Sequence, residues 1–291
     1  MPDGMNHRSS IGAMPRTHDR QSWAATLWPE TSEGDAAPSL IVEEPLAIRV
    51  QGQPFVVVMR TPGEEKAHTA GLCLAEGVID MPDDIVNLAL CDGPASNTVT
   101  LTLTAAAAAR FKTRDHRRAQ ISQTGCGLCG KELIDDLYRD LRPLPDGPVL
   151  DAAAVARSLD ALERHQPLRA ATRAAHAAAL FDRQEGLLAV AEDVGRHNAL
   201  DKVIGRLFLA RDLDRIGFLV MSSRLSYELV QKAARARIAV IVGISRPTSL
   251  AVSLADRLNM TLAARAPKDG LMIFTGNHRL AGPAVASSDG A

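Results

Sequence analysis

At 291 residues, 46% of them hydrophobic, the chain is long enough to bury a sizeable core, as one large domain or two smaller ones. Its 33 Lys and Arg face 34 Asp and Glu, a balance that argues against a general nucleic-acid binder while leaving room for a local basic site. The longest apolar run, IAVIVGI at 238–244, is far short of the ~18 residues of a membrane span, so a soluble protein with no membrane partner is expected.

Residues 1–38 mix Met, Ser, Arg, His, Gly and Pro without period and read as a disordered tail, with order beginning near Ser39. LIVEEPLAIRV and FVVVMR flank the turn Gln51-Gly52-Gln53 as a hairpin. EEKAHTAGLCLAEGVI spaces Ala67, Ala70, Gly71 and Leu74 as a helix; VNLALC and TVTLTLT read as two further strands. An alanine run then gives way to FKTRDHRRAQISQ. Its cluster of Arg110, Lys112, Arg114, Arg117 and Arg118 is either a solvated helical face or a phosphate-attracting surface. KELIDDLYRDL is an amphipathic helix ended by Pro143 and Pro145, and another helix is expected over 151–164.

The last third alternates. HAAALF and GLLAVAEDV are strands joined by the turn at 182–186. A helix follows, then strand IGFLVMS, helix YELVQKAARA, strand IAVIVGI, helix LAVSLADRL and a final strand LMIFT. That order predicts parallel pairing with crossover helices. In such a sheet ligands gather at the carboxyl ends of the strands. Three of those ends are loaded: Arg196-His197-Asn198; Ser222, Arg224 and Ser226; and Ser245, Arg246, Thr248 and Ser249. Singly, Asn198, Ser226 and Ser249 read as helix caps, and Glu192 or Asp193 could neutralise Arg196. Three arginines on one edge, beside free N–H groups at helix starts, instead point to an anionic, nucleotide-like ligand. There is no Walker A loop and no GxGxxG.

Of four cysteines, Cys73 and Cys91 sit singly in apolar patterns and are expected to be buried and inert. The absence of a secretory segment favours a reducing cytosol. Cys126 and Cys129 stand in TGCGLCG at 124–130. A structural zinc site commonly uses two such pairs, and only one is present. The His-x-Glu of a zinc deaminase is absent. A redox dithiol at the start of the KELIDDL helix stays open, favoured by the helix N-terminus and Lys131. Glycines at 125, 127 and 130 loosen the loop and tilt the reading toward a mobile sulfur carrier.

TPGEEKAHTAGLCLAEGVI, GCGLCGK, HAAALFD, AEDVGRHNALDKVIG, SSRLSYELVQKAA and SRPTSLAVSLA together resemble the FdhD family of formate dehydrogenase accessory sulfurtransferases, from about Glu43 to Leu280. The resemblance implies an α/β fold: a cytidine deaminase-like mixed sheet with flanking helices, plus a small N-terminal α+β unit. The residue patterns and the resemblance together divide the chain into the tail (1–38), an N-terminal subdomain with a basic linker (39–123), a mobile cysteine loop (124–130) and an α/β cofactor-binding domain (131–283). The resemblance further implies a cytoplasmic homodimer that takes persulfide sulfur from a cysteine desulfurase. The sulfur passes to the molybdenum bis(guanine dinucleotide) cofactor, a transient ligand, for formate dehydrogenase as client, with no permanently bound metal. Cys126 is then the persulfide carrier and Cys129 its supporting partner. Arg265, Ala266, Pro267, Lys268, Asp269 and Gly270 stand where the family has its cofactor loop. This chain departs from the pattern at Thr172-Arg173-Ala174, at Ser223, and at Ala264–Pro267, where a Gly-Phe-x-Arg is usual. Those departures keep a cofactor chaperone without sulfur transfer as an alternative, beside the CxxC redox protein that the cysteine pair leaves open.

Overall fold

The structure is a computed structural model that describes residues 19–22, 37–91, 97–113, 141–267 and 270–282. Order begins before Ser39. Strand β1 (Arg20–Ser22), inside the segment expected to be a disordered tail, pairs antiparallel with β2 (Ser39–Ile41), and the Val42 N–H extends the ladder to the Asp19 carbonyl at 2.8 Å. β3 (Glu44–Val50) and β4 (Gln53–Arg60) form the predicted hairpin. Its turn is only two residues, Gln51 and Gly52, both at positive φ (52° and 75°), the geometry whose twist matches that of paired strands. After α1 (Glu65–Ala75) come β5 (Ile85–Leu90), β6 (Thr98–Leu103) and α2 (Ala105–Thr113). In β6 Val99, Leu101 and Leu103 are buried while the alternating threonines are not, so this sheet, ordered β4-β3-β6-β5, has one face in the core.

The second half contains β7 (Leu150–Asp151), α3 (Ala152–Arg164), α4 (Pro167–Thr172), β8 (His176–Phe181), β9 (Leu187–Asp193) and α5 (Arg196–Ala210). Then follow β10 (Phe218–Met221), α6 (Tyr227–Arg235), β11 (Val240–Gly243), α7 (Ser249–Arg257), β12 (Thr261–Arg265), β13 (Leu271–Thr275) and β14 (Leu280–Ala281). Among the described residues the main sheet is six-stranded, ordered β13-β12-β11-β10-β8-β9. The expected parallel pairing holds for β10, β11 and β12. β8 is antiparallel to both β10 and β9, because the short turn at 182–186 permits a hairpin but no crossover. β12 is a strand without a strong sequence signal: TLAAR is alanine-rich and has Thr261 as its one β-branched residue, but burial between β11 and β13 decides its conformation.

Alternation along the strands separates two cores. Ala178, Leu180, Leu219, Met221, Ile241 and Leu262 pack with the N-terminal sheet and with α1, α5, α6 and α7. Ala177, Ala179, Phe181, Phe218, Val220 and Val242 meet Val155, Leu159 and Leu162, the i, i+4, i+7 stripe of α3. Phe181 and Phe218 stack with centroids 5.1 Å apart. α1 crosses α5 backbone to backbone at Gly71 and Gly205. Cys73 is fully buried, as expected, and burial pushes its thiol far up. Cys91 is exposed, against expectation, because it lies just past the end of an edge strand. No described helix is long and apolar enough to cross a membrane.

His68 on α1 is completely buried. Burial, then the positive charges of Lys202, Lys232 and Arg60, hold its pKa well below the usual value. Below about pH 6.5 the unfolded chain therefore binds a proton that the folded chain refuses, so stability falls as pH falls through that window. We expect His68→Leu to remove about 1 kcal/mol of the wild-type stability loss between pH 6.5 and 5.5, read from urea midpoints at the two pH values.

Candidate functional site at the carboxyl edge of the sheet

The strand directions set the site. β9 runs with β10, β11 and β12, so four carboxyl ends share one edge, and the amino end of β8 joins them between β9 and β10. Arg196 is the first residue of α5, directly beyond β9. Arg224 and Arg246 lie in the two turns that lead into α6 and α7. Those two turns lie side by side: Leu225 and Pro247 form a parallel bridge, the Thr248 N–H donates to the Leu225 carbonyl at 3.0 Å, and the Ile244 N–H to the Met221 carbonyl at 2.9 Å. Arg224 and Arg246 are equivalent in this duplication, each one residue before the bridge, and both are exposed. Among the described residues, the guanidinium groups of Arg196, Arg224 and Arg246 make no ion pair or hydrogen bond, and Arg196 Nε is buried without a partner. Neither Glu192 nor Asp193 neutralises Arg196. Glu192 accepts the Leu168 and Arg169 N–H groups of α4, each at 2.8 Å, and Asp193 pairs with Lys202 at 2.7 Å.

The duplication has one informative break. Thr248 caps α7, its hydroxyl accepting the Ala251 N–H at 3.2 Å. Ser226 holds the equivalent place before α6 and makes no cap bond. Its hydroxyl donates to Glu228 Oε2 at 3.4 Å and lies 3.5 Å from His197 Nε2, while His197 Nε2 meets Glu228 Oε2 at 2.9 Å. The His197 hydrogen bond, with the charges of His197 and Arg196, holds the Glu228 carboxyl below its usual range despite burial. His176 stands opposite Asp193 in the β8–β9 ladder, with Nδ1 buried and, among the described residues, unpartnered. Burial, then Arg196, Arg169 and His197, pull its pKa down, so a neutral imidazole sits beside the arginine cluster.

The structure thus gathers Arg196, His197, Arg224 and Arg246 on one edge, with Ser245 half-buried among them. Other predicted site residues are spent on the scaffold. Asn198 is no cap: its amide donates to the Met59 carbonyl at 2.7 Å and to Asp193 Oδ1 at 2.8 Å. The Ser222 hydroxyl accepts the Ala177 N–H at 2.7 Å and extends the β10–β8 ladder. Thr248, not Ser249, caps its helix. Arg265 closes β12 and pairs with Asp160 at 2.8 Å and with Glu163 at 3.7 Å on α3, so its charge is already met. The Ala266 N–H donates to the Gly270 carbonyl at 2.8 Å, which makes this stretch the β12–β13 hairpin; Pro267 is exposed. Lys268, Asp269, Cys126 and Cys129 lie outside the described residues. Sequence reading missed His176 and Glu228. His176 needed β8 recognised as antiparallel; Glu228 read as an ordinary acidic residue in a helix's first turn. Among the described residues no group of His, Cys, Asp and Glu is placed to hold a metal ion.

The sequence model of the FdhD/NarQ family matches residues 41–281. A sulfur carrier protein FdhD from Variovorax paradoxus is 39% identical over 241 residues, covering 83% of this chain and 86% of its own length. One of the same name from Mycobacterium tuberculosis is 40% identical over 253 residues, covering 83% of this chain and 91% of its own. A crystal structure from Desulfotalea psychrophila, described as a candidate formate dehydrogenase accessory protein, superposes with a TM-score of 0.70 at 23% identity, over 90% of this chain and 98% of that one. That likeness shows the mixed α/β fold. The extent of the family match and the identity to full-length relatives show that this chain belongs to the FdhD/NarQ family.

Proposed function

We propose that the protein is a sulfur carrier that serves formate dehydrogenase: Cys126 receives persulfide sulfur from a cysteine desulfurase, and the sulfur is delivered to a molybdenum bis(guanine dinucleotide) cofactor bound as substrate. The observation that supports this most is the trio of uncommitted guanidinium groups, Arg196, Arg224 and Arg246, at the starts of three neighbouring helices. Guanidinium forks and free helix N–H groups together suit the diphosphate arms of such a ligand. In the loading step the Cys126 thiolate attacks the terminal sulfur of the desulfurase persulfide; a new S–S bond forms as the old one breaks, and the desulfurase thiolate leaves. Cys129 is the exchange partner. On this reading the protein works in the cytoplasm as a homodimer.

The test has two arms. Incubation with a cysteine desulfurase and cysteine should add one sulfur at Cys126 by mass mapping, and Cys126→Ala should abolish that adduct. Full adduct yield in the variant would remove the carrier role. GDP, which mimics half of the ligand's nucleotide, should bind, and Arg224→Ala should weaken it about 10- to 100-fold, the worth of one charge-assisted hydrogen-bonding group. Equal affinity of variant and wild type would remove the arginine edge from the reading.

A further inference from the structure

The turn that presents Arg196 and His197 is built around a buried carboxylate. Asp193 is wholly buried at the end of β9, and Lys202 is 2% exposed. Asp193 Oδ1 accepts the Gly195 N–H at 2.9 Å and the Asn198 amide at 2.8 Å; Oδ2 accepts the Thr61 N–H at 3.1 Å and Lys202 Nζ at 2.7 Å. All four acceptor positions of the carboxylate are filled. Thr61 belongs to the other sheet, one residue past β4, and every polar group it has points into the same cluster. Its N–H goes to Asp193, its carbonyl accepts Lys202 Nζ at 2.8 Å, and its hydroxyl accepts the Val194 N–H at 3.1 Å. The Asn198 amide adds a bond to the Met59 carbonyl of β4. The turn at 193–198 is therefore held from behind by the N-terminal unit, while its outer side carries the unpartnered Arg196.

We infer that Asp193 and Thr61 are positioning residues: through them the N-terminal sheet sets the direction in which Arg196 and His197 face the ligand. This rests on the arginine edge as an anion site. A group that only propped up the fold would lower the melting temperature and leave the affinity of the folded protein unchanged. A positioning group changes the affinity of protein that is still folded.

The clean variant is Asp193→Ala with Lys202→Met, which removes the carboxylate without stranding the buried ammonium. Thr61→Val is the milder companion; it deletes only the acceptor of the Val194 N–H and serves if the double variant does not fold. The full-length protein is used, with GDP as probe. We expect GDP affinity of the folded variants to fall at least about 10-fold for the double variant and about 5-fold for Thr61→Val. Hydrogen exchange should quicken at the Val194 and Gly195 amides and not in β10. Cys126 persulfide loading should stay at the wild-type level. Arg196→Ala runs alongside. If it weakens GDP while the folded variants bind like wild type, the positioning inference is overturned and the anion site stands. If Arg196→Ala binds GDP as wild type does, the anion reading has failed, and the positioning inference that rests on it falls with it.

Discussion

Gly205→Ala is expected to destabilise the protein by about 3 kcal/mol, although alanine is the better helix former. In an open helix the exchange would stabilise by up to about 1 kcal/mol. Here a methyl group on residue 205 would overlap the Ala67 carbonyl oxygen and stand 2.7 Å from the Gly71 nitrogen. On the facing helix, a methyl at Gly71 would overlap the Asp201 carbonyl oxygen. The obstructing atoms are backbone, so no side chain can rotate away, and the two helices must move apart. That separation would open the core around Leu200, Val203 and Ile204. Gly147→Ala, where no described residue comes within 4 Å of the added carbon, is the control and should be neutral. Denaturant midpoints of the three proteins check the ranking; a neutral Gly205→Ala would mean that the helices do not meet here.

The second large effect concerns the ion pair behind the same crossing. Lys232 Nζ on α6 donates to both oxygens of Asp201 on α5 at 2.8 Å, and Asp201 is 1% exposed. Burial raises the Asp201 carboxyl against the pull of Lys232. For Lys232 burial opposes the charge, but Asp201 and Glu76 outweigh it and the pKa is raised. Asp201→Leu strands a buried ammonium, and Lys232→Met strands a buried carboxylate. Each should cost about 3–5 kcal/mol, whereas the double variant should recover most of that loss, because an apolar pair of similar volume meets no desolvation cost. A double-mutant cycle by chemical denaturation measures the coupling. Additive losses would show that the two charges do not depend on each other.

The β3–β4 hairpin was legible because a two-residue turn with Gly52 at its second position leaves the chain little choice. The apolar stripe of α3 and the strand–helix order around β10 and β11 were legible for the same kind of reason: period and punctuation are local. Cys91 shows the limit. Its apolar surroundings predict burial, but exposure depends on whether a strand has neighbours on both sides, and β5 has one. Arg265 falls in the expected ligand loop, yet two carboxylates of α3, more than 100 residues earlier in the chain, claim it.

By itself, the sequence determined the secondary elements with strong periodicity, the charged turns after β9, β10 and β11, and, through whole motifs such as AEDVGRHNALDKVIG, the family. Only the tertiary structure decided which polar groups remain uncommitted. Ser226 and Thr248 occupy matching positions in duplicated turns, yet one caps a helix and the other faces His197 and Glu228. Asn198 and Asp193 lie within five residues of Arg196 and are consumed by Met59, Thr61 and Lys202. The physical reason is that a buried polar group must find a partner wherever the fold brings one, and such partners come from strands distant in sequence. What is left unpaired at the edge, and so available to a ligand, is fixed only after those long-range bonds have formed.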